Sequence, residues 1–184
     1  VFVMRKNRLE YIYDKKIFRG ETGSAGELGH VTIDYKGNQC NCGNIGCVET
    51  YTGNNYLINA VKDEIGNHKD SEILKIIDNN LDYLNPLVIH QAAEKHDEYA
   101  ISVIKRMGQH IGYSLVSAIN ILDINSVIVG GGVAGFGQLL FDEILQTVDE
   151  RILIPKKGKI KIVPAMHKNN AGIMGASALV YYRL

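Results

Sequence analysis

A net charge is the first thing this chain lacks, because twenty basic residues offset twenty acidic ones over 184 positions. No overall field draws in nucleic acid or an anionic membrane, so any DNA-binding function has to reside outside these residues. Long apolar runs are missing too. None approaches the roughly 20 residues a bilayer span requires, and no charged-then-apolar leader with a small-residue cleavage site opens the chain. The expected compartment is the cytoplasm, and no membrane partner is expected. Cysteine is scarce: there are three, an odd number, all crowded between positions 40 and 47. That distribution suits a metal site in a reducing compartment better than a disulfide framework. An initiator methionine is also lacking. The chain begins at Val1 and runs straight into a strand-like stretch, which reads as the start of a fragment.

What is present fits one globular domain, with 46% apolar and 22% charged residues and no repeat, low-complexity tract or linker to divide it. Val1-Phe2-Val3-Met4, the stretch from Leu9 to Tyr13, and Lys16-Ile17-Phe18 are short β-favouring runs between charged turns, and predict an antiparallel meander. Gly20, Gly23, Gly26 and Gly29 punctuate a loop before residues 31–34 return to strand character, and Gly37-Asn38 turns into the cysteine cluster. From Tyr56 the period changes, with Leu57, Val61 and Ile65 on one face of a helix. Residues 72–77 predict a second helix and Pro86 opens a third. Ala100, Ile104, Met107, Ile111, Leu115, Ala118 and Leu122 trace one long buried stripe. Val127-Ile128-Val129 is a β-branched run ending in Gly130-Gly131-Gly132. An amphipathic helix through Leu140, Ile144, Val148 and Ile152, a strand at 160–163 and a closing helix from about Ala171 follow. The class is α/β.

His30 and the run Cys40-Asn41-Cys42-Gly43-Asn44-Ile45-Gly46-Cys47 supply one nitrogen and three sulfurs, the tetrahedral complement zinc takes in structural sites. Gly43 and Gly46 provide the permissive backbone a short loop needs to wrap an ion. The alternatives are three buried free thiols beside an unrelated histidine, and a nucleic-acid zinc ribbon, which would ordinarily show paired knuckles and a basic surface. Glu27 lies three residues before His30 and Glu49 two after Cys47, so closing the loop on a metal carries both carboxylates toward one region. Carboxylates accept charge-assisted hydrogen bonds from adjacent sugar hydroxyls, and a metal-bound imidazole keeps its other nitrogen for a partner. Against this, Glu27 can be a solvated loop charge and Glu49 a helix N-terminal acid stabilised by the dipole. The remaining histidines, His68, His90, His96, His110 and His167, are scattered through polar helix faces and loops without metal-site spacing, and are expected to be solvated. Tyr11, Tyr13, Tyr181 and Tyr182 are expected at sheet and helix edges.

Gly20, Gly23, Gly26-Glu27-Leu28-Gly29-His30 and the segment from Cys40 to Glu49 together resemble the signature region of the ROK family, which groups sugar kinases with sugar-responsive transcriptional repressors such as the N-acetylglucosamine repressor. The resemblance continues through Val127-Ile128-Val129-Gly130-Gly131-Gly132-Val133 and Ala171-Gly172-Ile173-Met174-Gly175-Ala176. It implies an actin- and hexokinase-like (ribonuclease H-like) C-terminal lobe over residues 1–184, with the N-terminal lobe absent. It also implies zinc on His30, Cys40, Cys42 and Cys47, sugar contacts from Glu27, His30 and Glu49, a nucleotide-side turn at Gly130, Gly131 and Gly132, and a homodimer built on the long helices.

A family kinase would further carry an Asp-x-Gly-x-Thr phosphate motif, a Gly-Thr-Gly turn and an Asn-Asp pair, none of which occurs here. Phosphoryl transfer rests on positioning and charge stabilisation around the phosphates, so these residues alone are expected to be catalytically silent. The wording His30-Val31-Thr32-Ile33-Asp34, Cys42-Gly43-Asn44 and Glu49-Thr50-Tyr51 resembles the repressor branch. The expectation is therefore the sugar-binding and dimerisation domain of a ROK transcriptional regulator, with DNA bound only through a domain outside this chain. The alternative is the same lobe of an ATP-dependent sugar kinase, glucokinase-like or N-acetyl-hexosamine kinase-like, with ATP as cofactor only in that case. Gly130-x-Gly132-x-x-Gly135 also satisfies a dinucleotide fingerprint in form, but it comes late in the chain and a tight strand-to-helix turn accounts for its glycines.

Overall fold

The structure is a computed structural model and describes residues 2–5, 8–14 and 16–166. The expected closing helix at Ala171–Ala176, with His167, Tyr181 and Tyr182, lies outside the described residues. Strands β1 (Phe2–Arg5), β2 (Arg8–Tyr13) and β3 (Lys16–Ile17) form the expected antiparallel meander. After a loop and a helical block the chain returns as β4 (Ser126–Val129) and β5 (Lys161–Pro164), each parallel to its neighbour. The described sheet has the order β3-β2-β1-β4-β5. Val127 pairs with Phe2 on one side and Ile162 on the other, so β4 is an interior strand. Its β-branched residues suit that place, with Val127 and Val129 wholly buried against the helices. Pro164, which cannot donate to a ladder, sits at the end of the outermost described strand, where it is tolerated.

The helices are α1 (Glu49–Thr52), α2 (Asn54–Glu64), α3 (Glu72–Ile76), α4 (Pro86–Glu94), α5 (Glu98–Leu122) and α6 (Gly137–Arg151). Local chemistry sets their ends. Pro86 occupies the first turn of α4, where its missing N–H costs nothing, and the Asn85 side chain accepts from the Leu87 and Val88 amides. Asp97 caps α5 by accepting from the Ala100 amide at 2.7 Å, and Asp123 in the left-handed conformation ends it. Between these caps α5 runs roughly 38 Å at the usual rise. Its stripe of Val103, Ile104, Met107, Ile111, Leu115 and Ile119 is buried at 3% exposure or less.

One contact within this core explains a residue choice that periodicity does not. A Cβ added at Gly112 of α5 would lie 2.6 Å from the Thr147 Cβ of α6, and one at Gly108 would lie 2.9 Å from the Glu143 Cβ. The two glycines, four apart on one face, let α5 and α6 approach closely, and Gln109 donates to Glu143 across the same seam at 2.8 Å. Ionised Glu64 on α2 fastens the other side of α5, meeting Arg106 at 2.6 Å and accepting from the Tyr99 hydroxyl at 3.1 Å.

Three expectations need correction. Residues 31–34 form no strand; Thr32 alone makes a bridge, to Cys47, because the segment's hydrogen bonds go to the cysteine loop instead of a sheet. The helix expected from Tyr56 begins at Asn54, with the short α1 immediately before it. One of the histidines expected to be solvated is packed: His110 is half-buried and stacks on Tyr51 at 4.5 Å between ring centroids. His68 lies over the Tyr99 ring at 3.9 Å but stays exposed, as expected. Burial lowers the His110 pKa below the ordinary imidazole value.

Candidate metal centre and adjoining clefts

The cysteine loop is a small knuckle built by backbone hydrogen bonds. Cys40 N–H donates to the Asn44 carbonyl at 2.8 Å and Gly43 N–H back to the Cys40 carbonyl at 3.0 Å, closing a turn around Cys42. Ile33 N–H donates to the Gly46 carbonyl and Val48 N–H to the Val31 carbonyl, which lays the far end of the loop along residues 31–33. Gly43 and Gly46 both hold positive φ, at 93° and 67°. At Gly46 any side chain is also excluded by space, because a Cβ there would lie 1.7 Å from the Asp34 carbonyl oxygen.

This folding brings all four expected ligands together, with the ring nitrogen of His30 and the sulfurs of Cys40, Cys42 and Cys47 lying within 4.8 Å of one another. Cys42 Sγ is 3.7 Å from Cys47 Sγ, and Cys40 Sγ is 3.7 Å from His30 Nδ1. Cys40 and Cys47 are buried at 3% and 0% exposure, whereas Cys42 is exposed. Burial pushes the Cys47 thiol up to about 12, while a backbone hydrogen bond at Asn44 draws Cys42 below its usual value. A cation at the centre of the four would replace those thiol protons, so the residues present fit a metal ion.

His30 does double duty. It closes the short 3-10 turn Leu28–His30, with its N–H on the Glu27 carbonyl at 3.0 Å, and its half-exposed ring presents Nδ1 to the sulfurs and Nε2 to Glu49 Oε2 at 3.6 Å. Glu49 follows because Cys47 and Val48 are buried at the start of α1, which turns the next residue outward at the mouth of the loop. Glu27 is exposed on the same 3-10 turn, at its N-terminal end.

Glu49 also opens onto a cleft of about 610 Å³ that no motif announces, shared with Asn41, Thr52, Asn54, Asn55, Tyr56, Asn59, Gly132 and Val133. Loop, α1, α2 and the glycine turn after β4 therefore meet at one surface. Asparagines and a tyrosine are individually uninformative in a sequence, and only the α1–α2 corner gathers them. The three turn glycines separate: Gly130 is buried, Gly132 lines this cleft, and Gly131 lines a second cleft of about 530 Å³ with His90, Glu94, Ile104, Phe136 and Gln138. A 3-10 turn over Gly132–Phe136 intervenes before α6, so the glycines do not lead directly from strand into helix as a dinucleotide fingerprint would. Among the described residues no helix is long and apolar enough to cross a membrane.

A mixed sheet backed by helices thus carries a cysteine-histidine knuckle with a carboxylate at the mouth of a cleft. The chain belongs to the ROK family, whose pattern matches residues 11–183. It is 30% identical over 169 residues to the xylose repressor of Caldicellulosiruptor bescii, covering 92% of this chain and 42% of that protein. It is 29% identical over 165 residues to a glucokinase of Halalkalibacterium halodurans, covering 89% of this chain and 50% of that protein. In three dimensions it matches a ROK family glucokinase from Streptomyces griseus, solved with glucose and AMPPNP, at a TM-score of 0.86 and 25% identity over 97% of this chain and 58% of that one. The actin- and hexokinase-like architecture is thus common to both branches. The chain spans about half the length of the relatives it matches.

Proposed function

We propose that this chain is the C-terminal, sugar-binding lobe of a ROK-family transcriptional regulator, organised by one structural zinc ion. The observation that carries the reading is the His30 ring, set between the thiols on one nitrogen and Glu49 on the other at 3.6 Å. Tetrahedral zinc with Zn–S bonds of about 2.3 Å and a Zn–N bond of about 2.0 Å separates its ligands by about 3.5–3.8 Å. The two 3.7 Å separations in the knuckle agree with that. With His30, Cys40, Cys42 and Cys47 as ligands, zinc supplies structure: it fixes the knuckle, the imidazole tautomer and thereby the carboxylate. Glu49, His30 and Glu27 then accept or share hydrogen bonds with sugar hydroxyls.

The regulator branch is favoured by the segments at His30–Asp34 and Glu49–Tyr51 and by the similarity to a xylose repressor. On this reading DNA is bound by a domain outside the chain and the long helices pair two copies. Sedimentation of twice the chain mass at micromolar concentration is the expected result for that pairing, and a strict monomer would count against it. The second reading, the matching lobe of an ATP-dependent sugar kinase, draws on the cleft beside Gly131, which would border the adenosine of ATP.

The test is calorimetric titration of the parent protein with glucose, N-acetylglucosamine and xylose, with and without ATP. One of these sugars is expected to bind, and Glu49→Gln to weaken it by about tenfold or more, as loss of a charge-assisted hydrogen bond predicts. Unchanged binding by that variant would refute the site. Sugar-dependent ATP consumption would move the parent protein to the kinase branch.

A further inference from the structure

We propose that the Tyr56 hydroxyl is a second ligand contact in the Glu49 cleft, a hydrogen-bond donor aimed by the metal-bearing loop at an acceptor oxygen of an uncharged sugar. The inference rests on the sugar-binding reading above and adds a specificity-determining residue to it.

Tyr56 is half-buried on α2 and shares the cleft with Asn41 and Glu49. Its oxygen accepts a hydrogen bond from the Asn41 backbone N–H at 3.1 Å. A phenol oxygen has one proton to donate and keeps it near the ring plane by conjugation. With one in-plane direction taken by the Asn41 N–H, the proton turns to the other. The hydroxyl is thereby committed as a donor in a fixed direction instead of rotating between roles.

What aims it is the knuckle. Asn41 lies between Cys40 and Cys42, two members of the metal-binding group, and its N–H direction is set by how those neighbours are held. An ion there orients two groups at once: Glu49 through His30, and Tyr56 through the Asn41 amide. They are complementary, because ionised Glu49 can only accept and the Tyr56 O–H is left to donate. A sugar hydroxyl and its neighbouring oxygen supply both needs. No lysine or arginine lines this cleft among the described residues, Glu49 is its one carboxylate, and the nearby His30 ring is already engaged by the thiols and Glu49, so a phosphate ester would find no cation to pair with.

The experiment compares wild type, Tyr56→Phe and Glu49→Gln in the full-length protein, all loaded with zinc. Each is titrated with glucose, N-acetylglucosamine and xylose, then with the singly deoxygenated derivatives of whichever binds. Tyr56→Phe is expected to keep its zinc stoichiometry and melting temperature and to weaken the preferred sugar about three- to tenfold. One deoxy derivative should cost the wild type that same factor and cost Tyr56→Phe nothing further, a non-additivity that a merely structural hydroxyl would not produce. Additive losses across the whole series, or an unchanged affinity in Tyr56→Phe while Glu49→Gln binds weakly, overturn this inference and leave the sugar site standing. Failure of the wild type to bind any of the three sugars overturns both.

Discussion

Replacing Cys42 with serine separates metal binding from packing, because of the three thiols it alone is exposed while Cys40 and Cys47 lie in the interior. Cys42→Ser removes one ligand and empties no core volume. Loss of a residue that merely supports a ligand typically weakens metal affinity 10–100-fold, so loss of a ligand itself should reach at least about 100-fold. At a fixed zinc concentration well above both dissociation constants, that is a loss of about 2.7 kcal/mol of ligand-linked stability. For a chain of this size each kcal/mol moves the midpoint by about 2–4 °C, so the variant should melt about 5–11 °C below wild type in zinc. With zinc chelated the two should melt together, since nothing buried has changed. Scanning calorimetry paired with elemental analysis reads both quantities. A variant that retains one zinc per chain and the wild-type midpoint would refute the metal assignment. A midpoint difference that survives chelation would show that Cys42 acts through packing, contrary to its exposure.

Two further outcomes follow from the helical core. Gly112→Ala forces a methyl to 2.6 Å from Thr147, so overpacking of about 1–3 kcal/mol should outweigh the roughly 1 kcal/mol alanine contributes to a helix, giving a lower denaturant midpoint. Gly66→Ala, where the added carbon meets nothing within 4 Å, is the control and should leave the midpoint unchanged or raise it. The His110 pKa is lowered by burial, so the unfolded chain binds its proton more readily than the folded one. The stability held by neutral His110 is therefore present above the ordinary imidazole pKa of about 6.5 and is lost as pH falls below it toward the folded value. His110→Gln should flatten that part of the stability profile between pH 7.5 and 5.5 in urea melts, and an equally steep profile in the variant would argue that other groups cause it.

Much of this protein can be read from residue type and order. Cysteine and histidine at knuckle spacing point to a metal because few other arrangements use three thiols and an imidazole so close together. The apolar stripe of α5 declares a buried helix because its period matches the turn, although at its end Leu122 is exposed, and Val127-Ile128-Val129 declares a strand because β-branched side chains suit a pleated surface. Such features are local, set by a few neighbouring residues and the chemistry of their side chains. Residues 31–34 look like a strand because residue type carries no information about a pairing partner, and the fold gives Thr32 a single bridge, to Cys47.

Only the tertiary structure decided the rest. It put Glu49, Asn41, Tyr56 and Gly132, drawn from four separate segments, around one cleft, and divided the glycine turn between two. It set Gly112 against Thr147 and His110 against Tyr51. These contacts depend on how α2, α5 and α6 cross one another and the loop, and a crossing is settled by the packing of whole faces. No single residue encodes it, which is why asparagines, a glycine and a histidine that look unremarkable in the chain take their meaning from what the fold places beside them.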